Sequence, residues 1–266
     1  MVKVGSEVQS SRIKVGTRTI FYRHAGQGPA VIMLHGSHRS SYLFQPNLVA
    51  LAQNFNVYVP DRPGYGQSDP IPDRQSLPDM AEFAVDFMHA LGIDKAHWIG
   101  ESRGGGICIE LGSRWPDAVD HLVLNAPVGL PPRELPKPAD VDGRSEWEWF
   151  VERSVEDPTL FGSDDREMIL ANLHKAASYE RRRLASQPAE YDQNGLVEYI
   201  VRLRAPVLLT WGRQDPVFPV ECVERFRQLL PNLQRVLILE AARHLAFFEK
   251  ATEFNTAVTQ FLAGPQ

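Results

Sequence analysis

The stretch HWIGESRGGG, residues 97–106, sets Ser102 between Glu101 and Arg103 and rings the three with glycines. The apolar residues before it, Ala96 to Gly100, suit a buried strand. After it Ile107, Leu111 and Trp115 recur four apart, the spacing of a helix. Ser102 is therefore expected where a strand turns sharply into a helix, with Gly100 and Gly104 bare so that the backbone can fold tightly. A G-x-S-x-G turn of this kind exposes a serine hydroxyl and aims the first helix amides at the same point. The pattern is short enough to arise by accident, so the chain must also supply what a nucleophilic serine needs.

A serine hydroxyl is a weak nucleophile at neutral pH. It requires a base to take its proton and an acid to orient that base. In an open parallel sheet both must come from loops at the carboxyl ends of strands, on the edge that carries the serine. The apolar run APVLLTWG (205–212) is followed by RQDPVFP, which holds Asp215. The run QRVLILE (234–240) is followed by AARHLAFF, which holds His244, the one histidine after Asp215. Alone, an aspartate before proline is a turn former and a lone histidine a cap or core residue. Ser102, Asp215 and His244 in that order, each after its own strand, are expected to form a catalytic triad.

Attack on a carbonyl also needs donors for the oxyanion. The backbone N–H of Arg103, next to the serine, is one. The other is expected from Ser37, in the loop HGSHRSS that follows the apolar run AVIMLHG (30–36). His35 and His38 in that loop have no evident third ligand, so no metal is expected, and no cofactor.

Positioning these groups takes alternating strands and helices. Residues 11–23 alternate around Gly16 as a hairpin, and NVYVPD (56–61) and HLVLNAP (121–127) are further strands. Helical spacing marks 43–53, the set Met80, Phe83, Ala84, Phe87, Met88 and Leu91, a helix near 220–229, and 247–263. The fold class is α/β, a mostly parallel central sheet covered by helices on both faces. From Val128 to about Arg204 the chain is rich in proline and charge, with helical pieces at 146–155 and 165–178 and no buried strand. It divides as core 1–127, an inserted helical cap 128–204, and core 205–266.

The 266 residues suffice for such a fold, and 43% apolar with 23% charged residues is ordinary for a globular chain. A net charge of −5 gives no pull toward nucleic acid or an anionic membrane. No apolar stretch approaches the ~18 residues of a membrane span, and the first residues lack a signal-peptide core. Cys108 and Cys222 make no disulfide framework or C-x-x-C motif. A cytoplasmic location is expected, with a small-molecule partner; the oligomeric state is open, a homodimer included.

On LHGSHRSS, DRPGYGQSD, GESRGG, WGRQDPVFP and ARHLAFFE the chain resembles the α/β-hydrolase family over essentially its whole length. The resemblance implies that fold and a Ser102–His244–Asp215 triad. Some relatives carry the acid one strand earlier, where Asn125 stands here and cannot ionise. Serine at the elbow sets the chain apart from the aspartate-nucleophile dehalogenases and epoxide hydrolases. Within the family it is similar to the hydrolases of meta-cleavage products, which split a carbon–carbon bond, in VEDPTLFGSDDREMI and EFNTAVTQFL. It departs from them at Glu101, where they have asparagine, at Leu245, where they have tryptophan, and at Asn172, where they carry a carboxylate-binding arginine.

The expected activity is hydrolysis of carboxylic esters or lactones through an acyl-enzyme. The alternatives are the carbon–carbon hydrolase and a ligand receptor that keeps the fold without turnover. His38, Trp149, Phe150 and Phe247 are candidate substrate contacts, and the aromatic residues would also serve to dock a cap. Arg103 is expected to pair with Glu101 or a core carboxylate rather than clamp an anionic substrate. Lys175 with Arg181, Arg182 and Arg183 is expected to be a solvated helix face.

Overall fold

The computed structural model describes residues 7–37, 39–70, 76–130, 145–163, 165–174 and 195–264. Its strands are β1 (Gln9–Val15), β2 (Arg18–Ala25), β3 (Ala30–Leu34), β4 (Asn56–Pro60), β5 (Ala96–Glu101), β6 (Val119–Asn125), β7 (Val207–Gly212) and β8 (Leu233–Leu239). They form one sheet in the order β1-β2-β4-β3-β5-β6-β7-β8. The hairpin β1–β2 turns at Gly16, whose φ of +57° suits glycine, and it joins β4 antiparallel. From β4 through β8 every pairing is parallel.

Both faces of the sheet are dry, because strand residues alternate sides and both sets are apolar. Ile32, Leu34, Trp98, Leu122, Leu124 and Leu209 meet the helices Leu77–Ala90, Arg103–Arg114 and Cys222–Leu229. Val31, Met33, Ile99, Val123 and Leu208 meet the helices Gln45–Leu51 and Ala251–Leu262. The two indoles nearest the centre satisfy their N–H groups on backbone: Trp98 donates to Ala118 at 3.1 Å and Trp211 to Phe218 at 2.8 Å. The helix Leu77–Ala90 opens on a capping box in which Ser76 and Asp79 bond each other's backbone amides.

Several boundaries differ from the sequence expectation for local reasons. The strand expected at 121–127 ends at Asn125, because Ala126 adopts a φ of +38° and Pro127 follows. The helix expected at 43–53 begins as a 3-10 turn, Ser41–Phe44, before Pro46 opens the α-helix. The terminal helix is two pieces, Ala246–Glu249 and Ala251–Leu262, broken at Lys250 with φ −113° and ψ 46°.

Between β6 and β7 the described residues hold helices Glu146–Ser154, 165–174 and Val197–Ile200 and no strand. Phe150, Val155, Ile169 and Leu173 from this stretch are buried with the second apolar cluster. Lys175, Arg181, Arg182 and Arg183, and the last residues of the helix expected at 165–178, lie outside the described residues. Among the described residues no helix is long and apolar enough to cross a membrane.

Candidate active site

Ser102 joins β5 to the helix Arg103–Arg114 with φ +53° and ψ −117°, a conformation a side chain rarely adopts. Such a residue stores on the order of 1–3 kcal/mol and persists only when its surroundings over-determine it. Here they do: its N–H donates to the Asn125 carbonyl at 2.9 Å, and its carbonyl accepts from Gly106 at 3.2 Å and Val128 at 3.0 Å. The turn is as tight as the bare glycines imply. A Cβ on Gly104 would lie 2.0 Å from the Leu34 carbonyl oxygen, and one on Gly100 2.5 Å from that of Gly104.

Asp215 and His244, from the loops after β7 and β8, meet as a buried pair. His244 Nδ1 donates to Asp215 Oδ2 at 2.7 Å. The other carboxylate oxygen accepts the amides of Val217 at 2.8 Å and Phe218 at 3.0 Å, so the carboxylate cannot rotate away. The Phe218 ring stands edge-on to the imidazole. Asn125 holds the loop instead of an acid: its Nδ2 donates to the His244 carbonyl at 3.4 Å while Thr210 donates to its Oδ1 at 2.9 Å. From the other side the Leu245 amide donates to the Ser154 carbonyl at 2.8 Å, and Arg243 pairs with Glu156 at 2.6 Å. The helix Glu146–Ser154 is thereby fastened to the loop that carries His244.

Glu101, completely buried, faces the same point. Its Oε2 accepts the Gly36 amide at 2.7 Å, and its Oε1 lies 3.1 Å from an Arg39 nitrogen and 3.5 Å from His244 Nε2. Glu101 is one of the two partners expected for Arg103, the other being a core carboxylate; the structure sets Arg39 against Glu101. The reason is direction: Arg103 opens the helix and is buried there, whereas Arg39 returns across Gly36, whose missing side chain leaves it room.

The loop bearing Ser37 is braced by the turn DRPGYGQSD. His35 donates from Nδ1 to the Gly36 carbonyl at 2.8 Å and accepts the Arg62 amide on Nε2 at 2.9 Å, so both ring nitrogens are engaged. The Arg62 guanidinium donates to Gly36 at 2.8 Å and lies over the Tyr65 ring. Asp61 accepts the amides of Ser41 and Gln67. His38 lies outside the described residues.

A cavity of about 240 Å³ collects these groups: Ser37, Arg39, Ser102 and His244 on one side, and Trp149, Phe150, Arg153, Ser154 and Val217 on the other. Two of the expected substrate contacts, Trp149 and Phe150, are there. Phe247 is not; it is fully buried, 4.5 Å from the Phe44 ring centre and packed on Phe254, a core residue beneath the loop. Arg39 and Arg153 are cavity residues that the sequence pattern passed over. The available signal for Arg153 is its place four residues after Trp149, on one helix face, where its guanidinium lies 5.2 Å from that ring centre. Burial, and Arg39 nearby, hold the Arg153 pKa below its ordinary value against the pull of Asp215. Among the described residues no carboxylate lies within ion-pair distance of it.

This architecture has a known counterpart. Residues 29–182 and 177–251 match the family model described as alpha/beta hydrolase fold. The chain belongs to that family. Among alpha/beta hydrolases it is 28% identical over 262 residues to a 2-hydroxy-6-oxo-6-phenylhexa-2,4-dienoate hydrolase of Burkholderia cepacia, covering 92% of this chain and 91% of the relative. It is 25% identical over 247 residues to carboxylesterase YbfK of Bacillus subtilis (strain 168), covering 89% and 81%. The fold superposes on the 2-hydroxy-6-oxo-6-phenylhexa-2,4-dienoate hydrolase of Rhodococcus sp. strain RHA1 with a TM-score of 0.85 at 23% identity, over 97% of this chain and all of that one. The protein is thus a hydrolase of the alpha/beta hydrolase fold, with both ester and carbon–carbon hydrolases among its relatives.

Proposed function

We propose that the protein is a serine hydrolase of carboxylic esters or lactones, with Ser102, His244 and Asp215 as its catalytic triad and residues 128–204 as a helical cap over the site. The observation that carries this reading is the buried 2.7 Å His244–Asp215 bond opening on the same cavity as Ser102, which is held in a strained turn. Asp215 fixes the tautomer that leaves His244 Nε2 free of its proton. His244 takes the Ser102 proton as Oγ attacks the acyl carbon, and the amides of Ser37 and Arg103 receive the oxyanion, each worth roughly 3 kcal/mol. The imidazolium then protonates the leaving alcohol as the C–O bond breaks. Water repeats the sequence on the acyl-enzyme and releases the acid and Ser102.

Arg153 gives the cavity a cation with no carboxylate within ion-pair distance among the described residues, so the preferred substrates carry an anionic group beside the scissile bond. Trp149 and Phe150 supply the apolar wall for the remainder. The Ser154–Leu245 bond and the Arg243–Glu156 pair support the cap closing directly over His244.

Intact-protein mass after a fluorophosphonate tests the reading. One adduct on the wild type and none on Ser102→Ala is the expected result; an equal adduct on both removes Ser102 as the nucleophile.

The resemblance to the Burkholderia cepacia enzyme favours a second reading, carbon–carbon hydrolysis by the same triad after the substrate ketonises. Against it stand Glu101, Leu245 and Asn172. Asn172, where such enzymes carry arginine, donates to Ser40 Oγ at 3.1 Å. A vinylogous diketone turned over far faster than any simple ester would establish that reading.

A further inference from the structure

At the other end of the sheet, the starts of β5 and β6 break register. Ala96 pairs with Val119 and Trp98 with Leu122, so the single residue His97 opposes two, Asp120 and His121. This is a bulge, uncommon between parallel strands, and bulges re-aim side chains. Residues 120 and 121 of a regular strand would point to opposite faces, yet here both turn toward His97. His97 Nδ1 lies 3.4 Å and His121 Nδ1 3.6 Å from the same oxygen, Asp120 Oδ2, and all three ligand atoms fall within 4.8 Å of one another. The edge of a tetrahedron around zinc, with bonds of about 2.0–2.1 Å, is about 3.3–3.5 Å.

We propose that His97, Asp120 and His121 form a zinc-binding site that ties the starts of β5 and β6 together. Both Nδ1 atoms are buried and hydrogen-bond to nothing, and the His97 side chain is only 6% exposed, so two ring nitrogens lie beside one carboxylate oxygen with no other partner. Two imidazoles and a carboxylate make a donor set suited to Zn²⁺, with water filling the fourth position. Asp120, 44% exposed, provides the entry path. Its second oxygen is engaged by the half-exposed Lys95 at 3.3 Å, which leaves Oδ2 for the metal. The imidazole planes are already set: His97 stands edge-on to Phe55 and His121 to Phe261, which limits the loss of freedom on binding. Nothing in the ester chemistry uses these residues.

The test is calorimetric titration of the EDTA-treated full chain with ZnCl₂, beside thermal melts with and without zinc. The wild type is expected to take up one Zn²⁺ and to melt at a higher temperature when loaded. His121→Gln and Asp120→Asn are expected to bind at least about tenfold more weakly and to lose the melting shift, with ester hydrolysis unchanged. A wild type without one-to-one uptake, or variants that bind as tightly as it does, overturns the site. Cobalt(II) gives a second reading on the wild type alone: intense tetrahedral absorption supports the site, and only the weak bands of the hydrated ion overturn it.

Discussion

Glu101 Oε1 stands 3.5 Å from Nε2 of His244, the ring nitrogen opposite the one that Asp215 holds at 2.7 Å. In the proposed mechanism this second buried carboxylate would oppose an oxyanion forming at Ser102 unless a cation balances it, and Arg39, 3.1 Å from Glu101, carries the balancing charge.

Removing the cation alone is therefore expected to cost catalysis. Arg39→Ala should lower kcat by on the order of tenfold or more, since the oxyanion then forms beside an unbalanced charge. Glu101→Gln in the same chain should restore part of the loss, because the amide keeps an acceptor for Gly36 without the charge. Steady-state kinetics on the four members of this cycle decide it; additive losses would mean that the two charges act independently and that Arg39 does not work by balancing Glu101.

Asp215→Asn is expected to reduce kcat by roughly 10³- to 10⁴-fold, because the amide favours the wrong imidazole tautomer. The amides of Val217 and Phe218 keep an oxygen acceptor, so the melting temperature should change little. A variant retaining more than a tenth of the wild-type rate would exclude Asp215 from the triad.

Arg153→Ala should raise KM for an ester that carries a carboxylate by about tenfold, the worth of one charge-assisted hydrogen bond, and leave a neutral ester nearly unaffected. Equal effects on both substrates would show packing on Trp149 rather than anion binding.

His35 makes stability depend on pH. Burial, and then the Arg62 charge, hold its pKa well below the ordinary 6.5. An unfolded chain takes up a proton on this imidazole near pH 6.5 while the native one stays neutral. Unfolding then consumes a proton, and stability falls as pH drops below about 6.5, by up to about 1.4 kcal/mol per pH unit. Urea midpoints at several pH values should show a flatter dependence for His35→Gln; an unchanged slope would place the proton uptake elsewhere.

The elbow, the strand order of the chemistry and the layering of the sheet were legible from the residues alone because each rests on local rules. Gly100 and Gly104 flank the turn at positions that admit no Cβ, and short continuous apolar runs alternating with helical spacing read as strands buried on both faces. Asp215 and His244 each follow such a run and so had to emerge on the edge that carries Ser102. What only the tertiary structure decided are contacts between distant parts of the chain whose direction no period encodes. Phe247 reads like Trp149 in sequence, yet the loop after His244 turns it onto Phe44 in the core while the helix Glu146–Ser154 turns Trp149 into the cavity. Arg39 rather than Arg103 reaches Glu101 because Gly36 leaves the space. The approach of His97 to Asp120 and His121 depends on a single extra residue in the pairing of β5 with β6. Strand register is fixed by the whole sheet, so a one-residue break in it, and whatever that break assembles, has no signature in either strand alone.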